Sequence, residues 1–317
     1  MKRGGHMGLF SKPEVVVLKD TCDSREFLYK LQKLRASVPD SSHAAEKIDK
    51  EIAVTEAGIY GEDSILFELK NSGMNLVVIR DLFIQTQNGR TAQIDFFVIT
   101  PYANVIIECK NLFGNIEINN KGDFIRTFNY KGHYYKEGIY SPITQNERHL
   151  DVYKDCWEDN KGLVTKLIAG KFFADYNKTI VVLANPKTVV NDKFAKKEIK
   201  QQVIRCDQLV NYLKALKTDD HRNLKAMRES GERVLAMNIQ DRTDYLNKFK
   251  EFEQEVKSEL SKAEQSQDIK KTEDNTTLKC PRCGGQLVLR VAKKGENAGN
   301  KFYGCNNYPK CRYIQNL

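Results

Sequence analysis

At 317 residues, with 40% apolar and 29% charged positions, the chain has the length for one substantial domain plus a small one and the balance of a globular protein. No apolar run approaches the roughly 20 residues of a membrane helix, and the opening MKRGGHMG lacks the apolar core of a signal peptide, which excludes the simplest membrane and secreted readings. The net charge of +9 is uneven: from Thr276 onwards eight basic residues face Glu296 alone, so that tail carries +7 and the preceding 275 residues +2. MKRGGHMG reads as an expression scar with Met7 as the native start, and a cytoplasmic protein is the expectation.

Taken in chain order, residues 23–55 are polar and helical in pattern, with a break at Val38-Pro39-Asp40. A helix follows from about Glu56 to Asn71 and stops at Gly73. Leu76–Gln87 reads as a strand, and Asn88-Gly89 is a hairpin turn into the next one. That next strand and its successor lie in QIDFFVITPYANVIIECK, residues 93–110, with Pro101–Asn104 as the turn. Residues 116–135, rich in Gly, Asn and aromatics, suggest short strands or a long loop. A helix runs from Pro142 to about Leu167, and Thr179–Ala184 is a buried strand bounded by Asn185-Pro186. Val203–Cys206 is another strand, with Asp207 capping the helix after it.

The mixture predicts an α/β sandwich, a mixed sheet flanked by helices. The expected segments are an N-terminal helical stretch (1–52), the core (53–216), a charged helical stretch (217–263), a polar linker (264–277) and a small tail (278–317). The 217–263 helices either pack on the core or pair with a second copy of the chain as a homo-oligomer. No membrane partner is expected.

Three charges interrupt the apolar 93–110 stretch. With Thr100 paired to Val105, Asp95 lies opposite Lys110, and Glu108 shares their face. Glu62 recurs with Ile59, Leu66 and Leu69 on one helical face and so points at the sheet. A carboxylate there is costly unless it meets a cation or metal. Carboxylates converging with a lysine suit metal-assisted phosphodiester hydrolysis with Mg²⁺ or Mn²⁺, the lysine orienting water and steadying developing charge. The bland alternative is a cross-strand ion pair of Lys110 with Asp95 and a helix-start role for Glu62.

Asp followed on the next strand by Glu-x-Lys resembles the PD-(D/E)xK nuclease superfamily, and Gly61-Glu62, Gln93-Ile94-Asp95, Glu108-Cys109-Lys110-Asn111 and Gly114 resemble the NERD (nuclease-related) domain. Ser141-Pro142-Ile143-Thr144-Gln145 is similar to that family's Asn-Pro-x-x-Gln element, with Ser in place of Asn. The resemblance covers roughly residues 53–170 and implies a restriction-endonuclease-like core. It also implies Glu62, Asp95 and Glu108 as metal ligands, Lys110 as catalytic, and Gln93 and Gln145 as site residues. The proline of the superfamily's PD is replaced by Ile94.

Of the eight cysteines, Cys280, Cys283, Cys305 and Cys311 cluster in the tail, where no histidine occurs, so a structural Cys₄ zinc site follows. About 40 residues cannot build an adequate core, and Zn²⁺ would supply the missing stability. CPRCGGQLVLR and KFYGCNNYPKCRY resemble the zinc ribbon at the carboxyl end of bacterial type IA topoisomerases, which binds single-stranded DNA. Arg290, Lys301, Phe302, Tyr303, Tyr308, Lys310 and Arg312 interleave rings with cations, as a surface for stacked bases and a tracked backbone does. Some of these rings, with Tyr313, are expected to pack around the zinc instead. The expectation is a nuclease with a DNA-binding tail. Its alternatives are an inactive DNA-binding adaptor, or an RNA-directed protein, since phosphate chemistry does not choose the sugar.

Overall fold

The computed structural model describes residues 12–159, 163–219, 221–239, 243–274, 278–295 and 297–316, so the expected start at Met7 lies outside the described residues. It divides into two units, 1–251 and 252–317.

The first unit opens with β1 (Val15–Lys19), α1 (Asp23–Arg35) and α2 (His43–Lys70). Ser42 caps α2 by accepting the Ala45 amide at 2.9 Å, and Gly73, at φ 64°, follows its end. The helix expected from Glu56 therefore begins at His43, because Ser42 supplies the start signal. A hairpin joins β2 (Leu76–Gln85) to β3 (Thr91–Ile99), and β4 (Asn104–Lys110) follows. Next come β5 (Asn115–Ile118), β6 (Phe124–Tyr130) and β7 (His133–Ile139). The expected helix from Pro142 is two helices, α3 (Pro142–Asp159) and α4 (Leu163–Tyr176). The remainder is β8 (Asn177–Leu183), β9 (Val190–Asn191), α5 (Lys197–Lys200), β10 (Val203–Arg205), α6 (Leu209–Ala215) and α7 (Leu224–Leu235). Asp207 does not cap α6; the Gln208 side chain instead accepts the Arg205 amide at 3.0 Å.

The main sheet has the order β1-β2-β3-β4-β8-β10 and is mixed. β1 runs parallel to β2, β2–β3–β4 form an antiparallel meander, and β8 and β10 are parallel to β4. Helices α3 and α7 cover one face through Val152, Tyr153, Met227 and Val234, while α2 and α6 cover the other through Ile65, Leu66, Leu69, Leu209 and Leu213. With both faces covered, β2 to β4 carry near-continuous apolar runs rather than an alternation. Two elements depart from the expected segments. The 1–52 stretch contributes β1 to the sheet, and α7 packs on β1 and β2, where a Cβ on Gly231 would lie 2.7 Å from both Leu18 and Val77.

The β3–β4 turn differs from the expected one. Thr100 closes it: its amide and hydroxyl both donate to the Ala103 carbonyl at 2.9 Å, and its Oγ1 accepts the Tyr102 and Ala103 amides. Val98 consequently pairs with Val105 and Phe96 with Ile107. Extended by one residue, this register sets Asp95 opposite Glu108 rather than Lys110.

A second sheet has the order β7-β6-β5-β9; β5, β6 and β7 lie between Lys110 and α3 in the chain, and β9 joins it from beyond β8. Its β6–β7 hairpin turns at Lys131 (φ 48°) and Gly132 (φ 81°), the two left-handed positions of a type I′ turn. The helix α8 (Thr243–Asp274) begins in the first unit and continues through most of the stretch expected as a linker; the second unit then holds a three-stranded sheet of β11 (Leu287–Val291), β12 (Lys301–Cys305) and β13 (Ile314–Asn316). No helix among the described residues is long and apolar enough to cross a membrane.

Candidate active site and zinc ribbon

Alternation slips at one level of the main sheet. In β2, Val77 and Ile79 face the same cluster as Leu82 and Ile84, so the phase shifts at Arg80-Asp81; in β3, Ala92 and Ile94 are followed on that side by Phe97 and Ile99, so it shifts at Asp95-Phe96. Asp81 marks the slip with φ 57°, a left-handed backbone that Asp tolerates better than most residues. The distortion brings polar groups into an otherwise apolar sheet.

Glu108 is the centre of this region, with a side chain only 2% exposed. Lys110 donates to Glu108 Oε1 at 2.6 Å and to Gln145 Oε1 at 3.1 Å. One turn along α3 from Gln145, His149 places Nδ1 3.4 Å from Glu108 Oε2, yet both atoms lack a hydrogen-bond partner among the described residues. Burial, helped by Lys110, lowers His149 to about 4, so the ring is neutral near pH 7 and this contact is not an ion pair. Asp95 Oδ2 accepts the Cys109 amide at 2.7 Å.

Burial and then the charges of Glu108 and Glu62 push the Asp95 carboxyl well above the usual range. Burial likewise raises Glu108, with Lys110 offsetting part of the effect, and raises Glu62 against the pull of Arg80. Burial lowers Lys110, but Glu108 outweighs it and the net shift is upward. Acids crowded so that each raises another's pKa are relieved by a bound cation.

Glu62 is placed differently from its expected role. Its Oε2 accepts from Arg80 Nε at 2.9 Å and from the Cys22 thiol at 3.6 Å. Gln93 donates to Asp81 Oδ1 at 3.1 Å rather than to Asp95 or Glu108. Asp81 is itself buried and also accepts the Asp23 amide at 3.1 Å, with Lys19 nearby. The sequence does not single out Arg80, Asp81 or Lys19, and His149, a lone histidine in it, reads as structural or exposed. For Arg80-Asp81 the signal was present: two charges interrupt the apolar run LVVIRDLFIQ, as Asp95 interrupts β3.

Two residues of the quoted motifs explain how α2 meets β4. Asn111 Nδ2 donates to the Ala57 carbonyl at 2.6 Å. A Cβ on Gly61 would lie 2.7 Å from Asn111 Cβ and 3.1 Å from Cys109 Sγ. We expect Gly61→Ala to destabilise the fold by roughly 1–3 kcal/mol through this overpacking, read as a lower denaturation midpoint with an unchanged slope.

In the second unit the Sγ atoms of Cys280, Cys283, Cys305 and Cys311 all lie within 4.8 Å of one another. Cys280–Cys311 is 3.8 Å and Cys283–Cys305 3.4 Å, near the roughly 3.8 Å that four sulfurs about 2.3 Å from one zinc must adopt. The Gly285 amide, with its neighbours, draws Cys283 down to about 6, towards the thiolate a metal needs. Among the described residues these cysteines form the one group of three or more potential ligands this close; Glu62, Asp95 and Glu108 do not converge to that degree.

Tyr303 and Tyr313 pack against the cysteines. Arg290 and Phe302 are cross-strand partners, and with Tyr308 and Arg312 they line a cavity of about 240 Å³; Lys301 and Lys310 are exposed.

The chain combines a mixed α/β fold that buries acids and a lysine with a segment of four converging cysteines. Comparison with known families agrees: the nuclease-related domain matches residues 57–184, and the topoisomerase DNA binding C4 zinc finger matches residues 277–317. The chain thus carries a nuclease-related (NERD) domain and a topoisomerase-type zinc ribbon. DNA topoisomerase 1 of Helicobacter pylori strain J99 is 34% identical over 76 residues, 24% of this chain and 10% of that protein. The Pyrococcus horikoshii enzyme is 39% identical over 69 residues (22% and 9%), and that of Archaeoglobus fulgidus 50% over 40 residues (13% and 5%). The chain therefore spans a tenth or less of the length of these relatives, and the likeness lies in the ribbon region. No solved structure matches the chain.

Proposed function

We propose that the protein is a Mg²⁺- or Mn²⁺-dependent deoxyribonuclease that hydrolyses phosphodiester bonds and holds DNA through its zinc ribbon. The observation that carries this reading is Glu108 Oε2, a buried carboxylate oxygen without a hydrogen-bond partner among the described residues, opposite Asp95 and beside Lys110. Asp95 and Glu108 would hold the divalent ion, with Glu62 contributing on release from Arg80. Bound there, the ion would supply a nucleophilic water and neutralise phosphate charge. Gln145 fixes the Lys110 ammonium, which stays protonated beside Glu108 and so can donate to a phosphate oxygen or orient water. His149, neutral, stands next to the same carboxylate without adding charge.

The test is incubation of labelled single- and double-stranded DNA with the full chain and Mg²⁺, Mn²⁺ or neither. Cleavage that requires an added ion supports the reading. Lys110→Ala is then expected to lower kcat by roughly 10²–10³-fold, the size of losing one charge-stabilising donor, while Mg²⁺ affinity by calorimetry changes little. Equal loss of both would make Lys110 a structural ion pair.

The Glu62–Arg80 bond favours one alternative, an inactive DNA-binding adaptor that retains the fold. Intact DNA binding without cleavage under either metal selects it. Self-association through α8, which exposes Leu246 and Leu260, belongs to the same proposal and is read by light scattering.

A further inference from the structure

We propose that the β6–β7 hairpin is a second nucleic-acid-binding surface, which holds single-stranded DNA by base stacking beside Lys110. The inference rests on the nuclease reading for its substrate, but its evidence is separate. Six of the seven residues of β7 are exposed, an unusual state for a strand this rich in rings. Tyr130, Tyr134, Tyr135 and Tyr140 are all exposed, and so is Phe113 at the entrance to β5. Burying such rings in a core would stabilise the fold; leaving five of them in water indicates a partner.

Their geometry fits bases. Phe128 and Tyr135, cross-strand partners, stack with centroids 5.0 Å apart and planes 11° apart, and Phe113 meets Phe128 edge-on at 5.9 Å. The outer rings of such a stack offer π-faces to unpaired bases of any sequence. Cations accompany them. Arg126 lies 4.6 Å from the Phe128 ring centre, Lys131 5.3 Å from that of Tyr130, and Arg148 5.5 Å from that of Tyr140. Rings flanked by guanidinium and ammonium groups recognise a phosphate-linked strand of bases better than an apolar protein surface.

Chain connectivity brackets this surface between the two residues of the Lys110–Gln145 contact. Phe113 lies three residues beyond Lys110; the chain then runs through β5, β6 and β7 and returns in α3, where Gln145 accepts from Lys110. Gly114, at φ 101°, permits the junction, since a Cβ there would lie 2.4 Å from the Thr127 carbonyl and 2.7 Å from Phe128 Cβ. On this proposal a strand stacked on the hairpin presents a phosphate to Lys110 without help from the tail.

The experiment measures binding of a fluorescent single-stranded oligonucleotide and the matching duplex to the zinc-loaded full chain without added Mg²⁺ or Mn²⁺. Each variant is made in the native chain and in one whose tail is weakened by Phe302→Ala. Tyr134→Ala with Tyr135→Ala should weaken single-strand binding by at least about tenfold and duplex binding far less, whereas the Tyr→Phe pair, which keeps the rings, should retain it. Lys131→Gln, outside the Phe128–Tyr135 stack, should flatten the salt dependence for both DNAs. Unchanged single-strand affinity in the Tyr→Ala pair overturns the proposal. So does a change from oligomer to monomer in that pair without an effect on DNA, which would make the hairpin an interface between copies. Cleavage is assayed separately with Mg²⁺: weakened binding in a protein that never cleaves retains this surface and removes the nuclease reading instead.

Discussion

Glu108→Gln and Asp95→Asn are each expected to lower DNA cleavage by roughly 10³-fold or more, with DNA binding left in place by the ribbon. An amide keeps the shape and most hydrogen bonds of the carboxyl but not its charge. Asp95→Asn can still accept the Cys109 amide, so the fold should survive. Metal-free thermal stability provides a second, opposite readout. Burial and the neighbouring acids raise the folded-state pKa of Asp95, so folding favours its protonated form. That stability is fully present below the unfolded carboxylate pKa, near 4, and is lost as pH rises through the raised folded value. Asp95→Asn removes the loss and should melt higher than wild type at pH 8, with the difference vanishing towards pH 4. Lower activity combined with a pH-dependent gain in melting temperature is the signature of acids kept together for a cation. An Asn variant that is both active and no more stable would sink the metal-site assignment.

The candidate site was legible where chemistry alone marks a residue, and less so where geometry decides. Asp95, Glu108 and Lys110 could be found because charges in an apolar strand need a reason. Their register could not, because Thr100, a residue suited to strands, uses its hydroxyl to close the turn and shifts the pairing. The same principle that exposed Asp95 applied to Arg80-Asp81, but an Arg-Asp doublet reads as a self-contained pair. In the structure Arg80 instead reaches back along α2 to Glu62 and Asp63. Long-range partnerships of this kind depend on how helix and sheet dock, and a local pattern does not contain that. Gly61 and Asn111 set the docking, through an approach only glycine permits and a side-chain bond to a carbonyl 54 residues away.

α8 shows the converse problem. Its second half has the charged, apolar-poor composition of a linker, but Glu, Lys, Gln and Ala are also strong helix formers, so low hydrophobicity did not mean absence of structure. The Cys₄ ribbon was the most legible part. Thiolate spacing in so small a segment leaves few ways to close a tetrahedron, and the rest of its fold follows from that closure.

That dependence makes zinc removal the other large effect. The hydrophobic cluster of the ribbon consists of Leu287 and three cysteines with Tyr303 and Tyr313 against them, far too little to hold three short strands without the metal. Stripping zinc from the full chain, or introducing Cys311→Ser, should unfold residues 278–316 while the first unit, with its own two-sided core, keeps its cooperative transition. Arg290 and Phe302 lie side by side only because β11 and β12 pair, so the DNA surface should disperse with the sheet. If three to five phosphate contacts depend on it, the log–log salt slope for single-stranded DNA should fall by about 2–3.5, and affinity at low salt by roughly 10²-fold. Adding Zn²⁺ back should restore both in the stripped wild type and not in Cys311→Ser. Arg290→Ala, which leaves the cysteines alone, should cost about one unit or less of that slope without unfolding the ribbon. A zinc-free chain that kept its full salt slope would place the DNA contacts elsewhere, and the β6–β7 hairpin would then be the first surface to test.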